Sequence, residues 1–457
     1  MRLSGIELKQ ATGGDWRKGV PESINGISTD TRKFIEGNAF LALRGPNFDG
    51  HLFAEKVASD ASALIGDHQG ARLWDNLEMP QLQVEDTTTA LGDIANAWRN
   101  RLSQTTIIAI TGSYGKTTVR SMLAHVFEAL GMRTAATHAN LNNLIGVPTT
   151  LLGIDESAEV ALIECGISEL GEMERLSQIV QPDIAVITGI SAAHSSGLGG
   201  LQGVAREKSK LISHLQPQGW CAFGSGVSNH LKDEKTTNVS IDMDRAEAGI
   251  VTWQLEGQAL QLTTENESVA MALALPAEHW ASNMALTATI VLKYFDDRPY
   301  LAMPQLQDIA EILSGWKAMD GRMATLTGAN GITIIDDSYN ANPVSMQAAL
   351  NTLTALSGHR TAIIGDMAEL ENPAAAHASL DVSGVDRLIL VGREMATLKS
   401  KRPDALCFAT TDEAVVWIKD NMDSFASDDH LLIKASRSMQ LDRIVRQLTG
   451  QEATHAL

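Results

Sequence analysis

One stretch of the chain constrains its fold more than any other, because an apolar run leads directly into a glycine loop. The run covers residues 107–110, and the loop reads Thr111-Gly112-Ser113-Tyr114-Gly115-Lys116-Thr117-Thr118. Apolar residues then recur at helical spacing up to Gly131, at Val119, Met122, Leu123, Val126, Phe127 and Leu130. The order strand, loop, helix predicts a phosphate-binding loop in a parallel α/β sheet.

The residue types of this loop suit a nucleotide. Glycines allow a close approach of the backbone, and the free N–H groups of a helix N-terminus attract phosphate. Lys116 would neutralise the β- and γ-phosphates, and Thr117 would hold Mg²⁺. The spacing is G-x-x-G-K-T, because Ile110 stands where the longer motif has its first glycine. The loop therefore predicts ATP and Mg²⁺ as cofactors, against the alternative of a chance Gly-Lys-Thr turn. The candidate nucleotide-binding residues here are Thr111, Gly112, Ser113, Gly115, Lys116, Thr117 and Thr118.

The length of the chain, 457 residues, predicts about three domains at roughly 150 residues each. Short β-branched runs alternate with helix-periodic stretches, which is typical of α/β domains with parallel sheets. The expected domains are residues 1–84, a small α/β unit, residues 85–315, with the phosphate loop, and residues 316–457, a Rossmann-like unit. The expected strands are residues 39–43, 63–65, 106–111, 160–164, 184–188, 332–336, 361–365, 388–391 and 431–434.

Charge and composition exclude several classes of partner. The net charge of −19 disfavours nucleic acid and anionic lipid surfaces. The longest apolar run, residues 269–275, is far shorter than the roughly 18 residues of a membrane span. Glu7 and Lys9 interrupt any apolar region of a signal peptide. Three scattered cysteines, without metal-ligand spacing, indicate a reducing compartment and no structural zinc. We expect a cytoplasmic protein.

Residues that follow the next strands are candidates for the same site, since ligands gather at the carboxyl ends of parallel strands. Glu164 ends one strand, and His194 follows another by a short loop. Both could bind the metal of ATP, but a solvated cap and a structural histidine fit these two residues as well. Lys208 is compatible with a solvated surface lysine.

Taken together, the motifs resemble the Mur ligase family of ATP-dependent, amide-forming enzymes of peptidoglycan synthesis. The resemblance covers nearly the whole chain, including the short Thr-Gly-x-x-Gly-Lys-Thr loop. Within the family, four segments are most similar to the member that adds D-alanyl-D-alanine: residues 48–51, 142–148, 336–343 (Asp-Asp-Ser-Tyr-Asn-Ala-Asn-Pro) and 365–370. The Asp-Asn-Pro-Arg motif of the member that adds diaminopimelate or lysine is absent.

The resemblance assigns roles that the residues alone leave open. It implies that Glu164 and His194 bind Mg²⁺ and that Lys208 carries a carbamate at the metal site, which makes Lys116, Glu164, His194 and Lys208 the catalytic set. Asn283, Arg322 and Asp336 match residues that hold the nucleotide. The implied substrate-binding residues are Thr29, Arg32, Asp49 and His51 in the N-terminal domain and Asn140, Asn142 and Asn143 in the central domain.

The reaction implied is ATP-driven ligation. A carboxylate of UDP-N-acetylmuramoyl-tripeptide would attack the γ-phosphate, and the amine of D-alanyl-D-alanine would attack the resulting acyl phosphate. We expect a monomer with these small-molecule substrates. Two alternatives stay open: a related ligase of the folylpolyglutamate synthase type, and a nucleotide-switched binding protein that ligates nothing.

Overall fold

A computed structural model describes residues 1–191, 195–231, 239–245 and 249–450. The strands of the first 84 residues are β1 (Asp15–Arg17), β2 (Ile27–Ser28), β3 (Ala39–Leu41), β4 (Arg44–Gly45), β5 (Phe48–Asp49), β6 (Ala63–Asp67) and β7 (Gln81–Val84). Five of them form a mixed sheet in the order β1-β7-β6-β3-β2, and β4 pairs with β5. Helix α1 (Gly5–Thr12) begins with a capping box in which Ser4 and Glu7 bond each other's backbone.

The middle of the chain forms a six-stranded parallel sheet in the order β13-β12-β11-β8-β10-β9. Its strands are β8 (Thr106–Thr111), β9 (Thr134–Ala136), β10 (Val160–Glu164), β11 (Ile184–Ile187), β12 (Trp220–Phe223) and β13 (Val239–Asp242). The helices around it are α2 (Thr87–Arg99), α3 (Lys116–Ala129), α4 (Gly146–Leu152), α5 (Glu172–Val180), α6 (Ser195–Leu198), α7 (Gly200–Ser209) and α8 (Val227–His230). This is the parallel sheet that the sequence predicts.

A small antiparallel sheet follows, which the sequence analysis did not predict. It consists of β14 (Thr252–Glu256), β15 (Ala259–Thr263) and β16 (Ser268–Ala272), and two helices come next, α9 (Glu278–Asp296) and α10 (Leu306–Ser314). The exposed and buried residues of β15 alternate, because one face packs on the core and the other meets solvent.

The C-terminal part forms a second six-stranded sheet, in the order β17-β18-β22-β19-β20-β21, with only β17 antiparallel. Its strands are β17 (Ala324–Thr327), β18 (Thr333–Asp337), β19 (His359–Gly365), β20 (Arg387–Val391), β21 (Leu406–Phe408) and β22 (Asp429–Lys434). The helices are α11 (Pro343–Thr354), α12 (Pro373–Ala378), α13 (Thr411–Asp420) and α14 (Asp442–Thr449). A mainly parallel sheet covered by helices is the Rossmann-like arrangement expected from the sequence.

Apolar faces of the elements meet in buried cores. On α3, Val119, Met122, Leu123, Val126 and Phe127 are fully buried, as their helical spacing predicts. Strands β8 and β10 begin and end at the predicted residues, while the other predicted strands differ by one or two residues at an end. Within the described residues, no helix is long and apolar enough to cross a bilayer.

Phe127→Ala is expected to destabilise the protein by about 3–5 kcal/mol, because it removes a fully buried ring that packs edge-to-face on Tyr294. Denaturant unfolding followed by fluorescence measures the loss. Val416→Ala on α13 is the control, since Val416 is 60% exposed and should change stability by less than about 0.5 kcal/mol. Equal effects of the two changes would contradict the assignment of α3 to the core.

Candidate nucleotide site

The phosphate loop lies at the carboxyl edge of the central sheet, between two other strand ends. Strand β8 pairs with β10 on one side and with β11 on the other. Their registers place Glu164 opposite Ile110 and Ile187 opposite Thr111. Parallel pairing therefore brings the loop, the Glu164 carboxylate and the segment after β11 to one edge, as the sequence predicts.

Two glycines give the loop its shape. Gly112 and Gly115 have φ angles of 153° and 81°, which side-chain-bearing residues rarely adopt. A Cβ at Gly112 would also lie 2.2 Å from the Thr188 hydroxyl. Across the loop, the Ser113 hydroxyl donates to the Ser191 carbonyl at 3.1 Å and accepts from the Ser191 N–H at 3.0 Å. The loop is thus fixed to the segment that follows β11.

Glu164 is the centre of the hydrogen bonds in this site. Its side chain is 3% exposed, and Oε2 accepts from the Thr117 hydroxyl at 2.9 Å while Oε1 accepts from the Asn142 amide at 3.0 Å. The Arg120 Nε atom lies 3.4 Å from Oε2. One carboxylate therefore joins the start of α3 to the loop that contains Asn142.

Burial and the neighbouring groups have opposite effects on the pKa of Glu164. Burial acts to raise the pKa of its carboxyl, but the charges of Lys116 and Arg322 and the hydrogen bonds from Asn142 and Thr117 hold that pKa below its usual range. Burial, aided by the charge of Arg322, lowers the pKa of Lys116, whose ammonium donates to the Gly112 carbonyl at 2.8 Å. Glu164 is ionised at neutral pH.

Lys208 is buried in the structure, so its interpretation as a solvated surface lysine is wrong. Lys208 is the ninth residue of α7 and is 1% exposed. Burial and the nearby charge of Lys116 together lower the pKa of its ammonium well below the usual value. No hydrogen bond or ion pair joins its side chain to another described residue. His194, the other residue inferred for the metal site, lies outside the described residues.

The C-terminal sheet contributes residues to the same site. Arg322 acts electrostatically on both Lys116 and Glu164, and its guanidinium lies 4.1 Å from the centre of the Tyr339 ring. Asp336 is 6% exposed and accepts from Gly321 N–H, Ser338 N–H and the Ser338 hydroxyl. Burial raises the pKa of Asp336, although these hydrogen bonds oppose the rise. The charge of Arg322, which lies just before β17, therefore acts on the phosphate loop from the C-terminal part of the chain.

Asn283, the candidate nucleotide-binding residue on α9, lies beside the phosphate loop, as expected. A Cβ at Gly115 would come within 3.4 Å of the Asn283 side-chain oxygen. Nearby, burial and the charge of Lys434 lower the pKa of His279 to about 4, so its ring is neutral at pH 7.

The three asparagines before α4 have different surroundings. Asn142 contacts Glu164 as described, whereas the Asn143 side chain accepts from the backbone of Ile145 and Gly146. Asn140 is exposed, and its carbonyl accepts from the Asn142 N–H at 2.8 Å. Asn142 is therefore brought to the site, while Asn143 fixes the start of α4.

The four N-terminal candidates form a separate group. The Arg32 side chain is 84% exposed and pairs with Asp30, and Thr29 is half-buried after β2. Asp49 accepts from His51 Nδ1 at 2.6 Å, and His51 Nε2 accepts from the Asp67 N–H at 3.1 Å, so His51 is a buried neutral ring that orients Asp49. No hydrogen bond or ion pair links any of the four to the phosphate loop within the described part of the chain.

The residues present suit a nucleotide with a divalent cation. Lys116, Arg120 and Arg322 all act electrostatically around the Glu164 carboxylate, so an anion would be stabilised here. Thr117 and Glu164 offer two adjacent oxygen ligands of the kind that Mg²⁺ prefers. The described residues contain no cluster of three or more His, Cys, Asp or Glu side chains that could hold a metal alone.

Two residues of the site were missed by the sequence analysis. Arg120 lies one helical turn after Lys116, on a helix that was examined only for its apolar spacing. Asn342 caps α11, and its side-chain amide donates to the Ser113 carbonyl of the phosphate loop at 3.3 Å. Asn342 belongs to the recognised 336–343 segment, but only the fold brings it to the loop.

A phosphate loop beside a strand-end carboxylate, with an arginine at the start of the C-terminal part acting on both, defines a multidomain nucleotide-dependent enzyme. The sequence matches the Mur ligase family, catalytic domain at residues 23–99, the Mur ligase middle domain at 110–291 and the Mur ligase, glutamate ligase domain at 321–437. UDP-N-acetylmuramoyl-tripeptide–D-alanyl-D-alanine ligase of Escherichia coli (strain K12) is 32% identical over 447 residues, which cover 94% of this chain and 95% of that protein. The chain belongs to the Mur ligase family.

Solved structures agree with this assignment. MurF from Acinetobacter baumannii superposes with a TM-score of 0.87 at 30% identity, and the match covers 99% of each chain. Folylpolyglutamate synthase of Mycobacterium tuberculosis gives a TM-score of 0.61 at 18% identity, over 80% of this chain and 95% of that one, and so shows a shared fold alone. The predicted family, ligase class and three-domain α/β organisation are confirmed.

Lys116→Ala is expected to reduce phosphoryl transfer by about a thousandfold and to leave the fold intact, because this ammonium acts on phosphate charge and packs in no core. Phosphate release and thermal unfolding, measured side by side, check both parts. Lys419→Ala, an exposed lysine on α13, is the control. Turnover near that of the unaltered protein would remove the loop from the reaction.

Proposed function

We propose that this ligase joins D-alanyl-D-alanine to UDP-N-acetylmuramoyl-tripeptide with hydrolysis of ATP. The observation that carries the proposal is the site around Glu164, where Lys116, Thr117 and Asn142 meet at the edge of the sheet. The relatives of similar length carry the name of this activity. The substrate carboxylate attacks the γ-phosphate and displaces ADP, and the dipeptide amine then attacks the acyl phosphate, forms the amide and releases phosphate and a proton.

Each group of the site has a distinct task in this reaction. Thr117, Glu164 and His194 would hold Mg²⁺, which would neutralise phosphate charge between the two anions that must meet. Lys116 and Arg322 stabilise the negative charge of the triphosphate from opposite domains. Asn142 keeps Glu164 oriented, and Thr111, Gly112, Ser113, Gly115 and Thr118 shape the loop around the phosphates.

Burial of Lys208 supports its proposed carbamate. A lysine with a lowered pKa is a neutral amine more often, and the neutral amine is the form that attacks CO₂ and releases a proton. The product is an anion, which suits a place beside Lys116 and a metal better than a second ammonium does.

The domain roles also remain part of the proposal. Residues 1–84 hold the uridine nucleotide through Thr29, Arg32, Asp49 and His51, residues 85–315 bind ATP, and residues 316–457 bind the dipeptide. Asn140 and Asn143 contact the muramoyl substrate, and Asn283 and Asp336 contact the nucleoside. Closure by the C-terminal domain excludes water from the acyl phosphate. The monomeric state and the cytoplasmic location stay predictions.

Phosphate release with each substrate omitted in turn tests the function. The full mixture should release phosphate and form the pentapeptide product, and omission of either the tripeptide or the dipeptide should abolish product. A nucleotide-switched binding protein would instead hydrolyse ATP without any acceptor. A ligase of the folylpolyglutamate type would use a folate and glutamate in place of both muramoyl and dipeptide substrates.

Lys208→Ala should lose ligation, and a short carboxylic acid in the buffer should restore part of the rate by standing in for the carbamate. Product formation against acetate concentration measures the rescue. Lys210→Ala is the matched control, because Lys210 lies two residues away and pairs with Glu207. Full activity of the unrescued Lys208 variant would contradict the proposed role.

A further inference from the structure

The direction of the Lys208 side chain depends on how α7 is held in the domain. Burial and the charge of Lys116 lower the pKa of the Lys208 ammonium, so this side chain lies near the phosphate loop. Among the described residues, however, no hydrogen bond or ion pair holds the ammonium itself. The start of α7 adds little support, because Gly199 occupies its N-cap position and no side chain caps the helix. Contacts further along α7 must therefore orient Lys208.

Glu207, the residue directly before Lys208, joins α7 to α5. Its side chain is 1% exposed, and Oε1 accepts from the Gly171 N–H at 2.7 Å and from the Met173 N–H at 3.3 Å. Gly171 is the N-cap residue of α5 and has no side chain to accept from the first turn. Glu207 supplies that acceptor from a different helix, and the positive end of the α5 dipole favours its negative charge.

A second contact between these segments lies on the other side of Lys208. The Ser177 hydroxyl on α5 donates to the Leu211 carbonyl at 2.8 Å. Lys208 is thus placed between two attachments to α5, one at Glu207 and one at Leu211. Neighbouring residues of a helix point about 100° apart, so an attachment at Glu207 also fixes the direction in which Lys208 points.

We propose that Glu207 is a positioning residue, which holds Lys208 in the metal site through its two hydrogen bonds to the start of α5. This inference rests on the proposed function, in which Lys208 carries a carbamate. The oxygen that forms these bonds is Oε1. Lys210 binds the other oxygen, Oε2, at 2.7 Å, so a change of Lys210 leaves the bonds to α5 in place.

Two conservative variants separate the hydrogen bonds of Glu207 from its charge. Glu207→Gln keeps an oxygen acceptor for Gly171 and Met173 and loses the charge, so kcat should stay within about twofold of the unaltered enzyme. Glu207→Asp keeps the charge but is one methylene shorter, so its carboxylate no longer reaches both N–H groups. This variant should lower kcat about tenfold or more, because small displacements of a reacting group are costly. The KM of ATP should change little in either variant, since the phosphate loop is unaltered.

The carbamate itself provides a second measurement, which does not depend on turnover. It forms when the neutral Lys208 amine bonds to the carbon of CO₂ and releases a proton. ¹³C NMR of the full-length enzyme in labelled bicarbonate, with Mg²⁺ and a non-hydrolysable ATP analogue, detects that carbon. The signal should be present in the unaltered enzyme and in Glu207→Gln, weaker in Glu207→Asp and absent in Lys208→Ala.

Asp86→Ala is the control for a general loss of helix stability. Asp86 is exposed and caps α2 in the same domain by accepting from the Thr89 N–H at 2.6 Å. Its replacement should lower the temperature of thermal unfolding and change neither kcat nor the carbamate signal.

Several results would overturn the inference. They are an unchanged signal and kcat in Glu207→Asp, an equal loss in the Gln and Asp variants, and a loss in Asp86→Ala as large as that in Glu207→Asp. Absence of the signal from an unaltered enzyme that ligates would contradict the carbamate of the proposed function, and this inference with it. If the unaltered enzyme gives the signal but forms no product, the proposed function fails, while the signals of the variants still decide the role of Glu207.

Discussion

The hydrogen bonds of the Glu164 carboxylate are the interaction on which the site depends. A buried carboxylate costs several kcal/mol in desolvation unless charges and donors compensate for it. Here Thr117, Asn142, Lys116 and Arg322 provide that compensation and keep the pKa of Glu164 low. Because these partners come from α3, from the loop before α4 and from the C-terminal domain, one ionised group requires three separate parts of the chain to be in place.

The positively charged residues around Glu164 explain how one site can bind two anionic substrates. Burial lowers the pKa of the Lys116 and Lys208 ammonium groups, and the charge of Lys116 lowers the pKa of Lys208 further. That arrangement is unfavourable for an empty site and favourable once phosphates and a carboxylate are present.

Hydrogen bonds join the central and C-terminal domains beside the apolar core that the two domains share. The Asn342 amide reaches the Ser113 carbonyl at 3.3 Å, and the Trp316 indole donates to the Ser121 hydroxyl at 2.8 Å. Both contacts are made to α3 or to the loop before it. The segment that carries Trp316 leads to Arg322, so it connects α3 to a residue whose charge acts on Lys116.

The strand, loop and helix around Gly112, the buried face of α3 and the family could be predicted from the sequence, because local periodicity and glycine requirements are properties of short segments. The sequence also placed Glu164 at a strand end, where parallel pairing brings strand ends together. The burial of Lys208, the burial of the His51 ring and the contact of Arg120 with Glu164 could not be predicted, because they arise from the tertiary fold. These features depend on which distant segments of the chain pack against each side chain. Burial and electrostatic surroundings arise from contacts between residues far apart in the sequence. The hydrogen bonds of Thr117 with Glu164 and of Asn342 with Ser113 are examples.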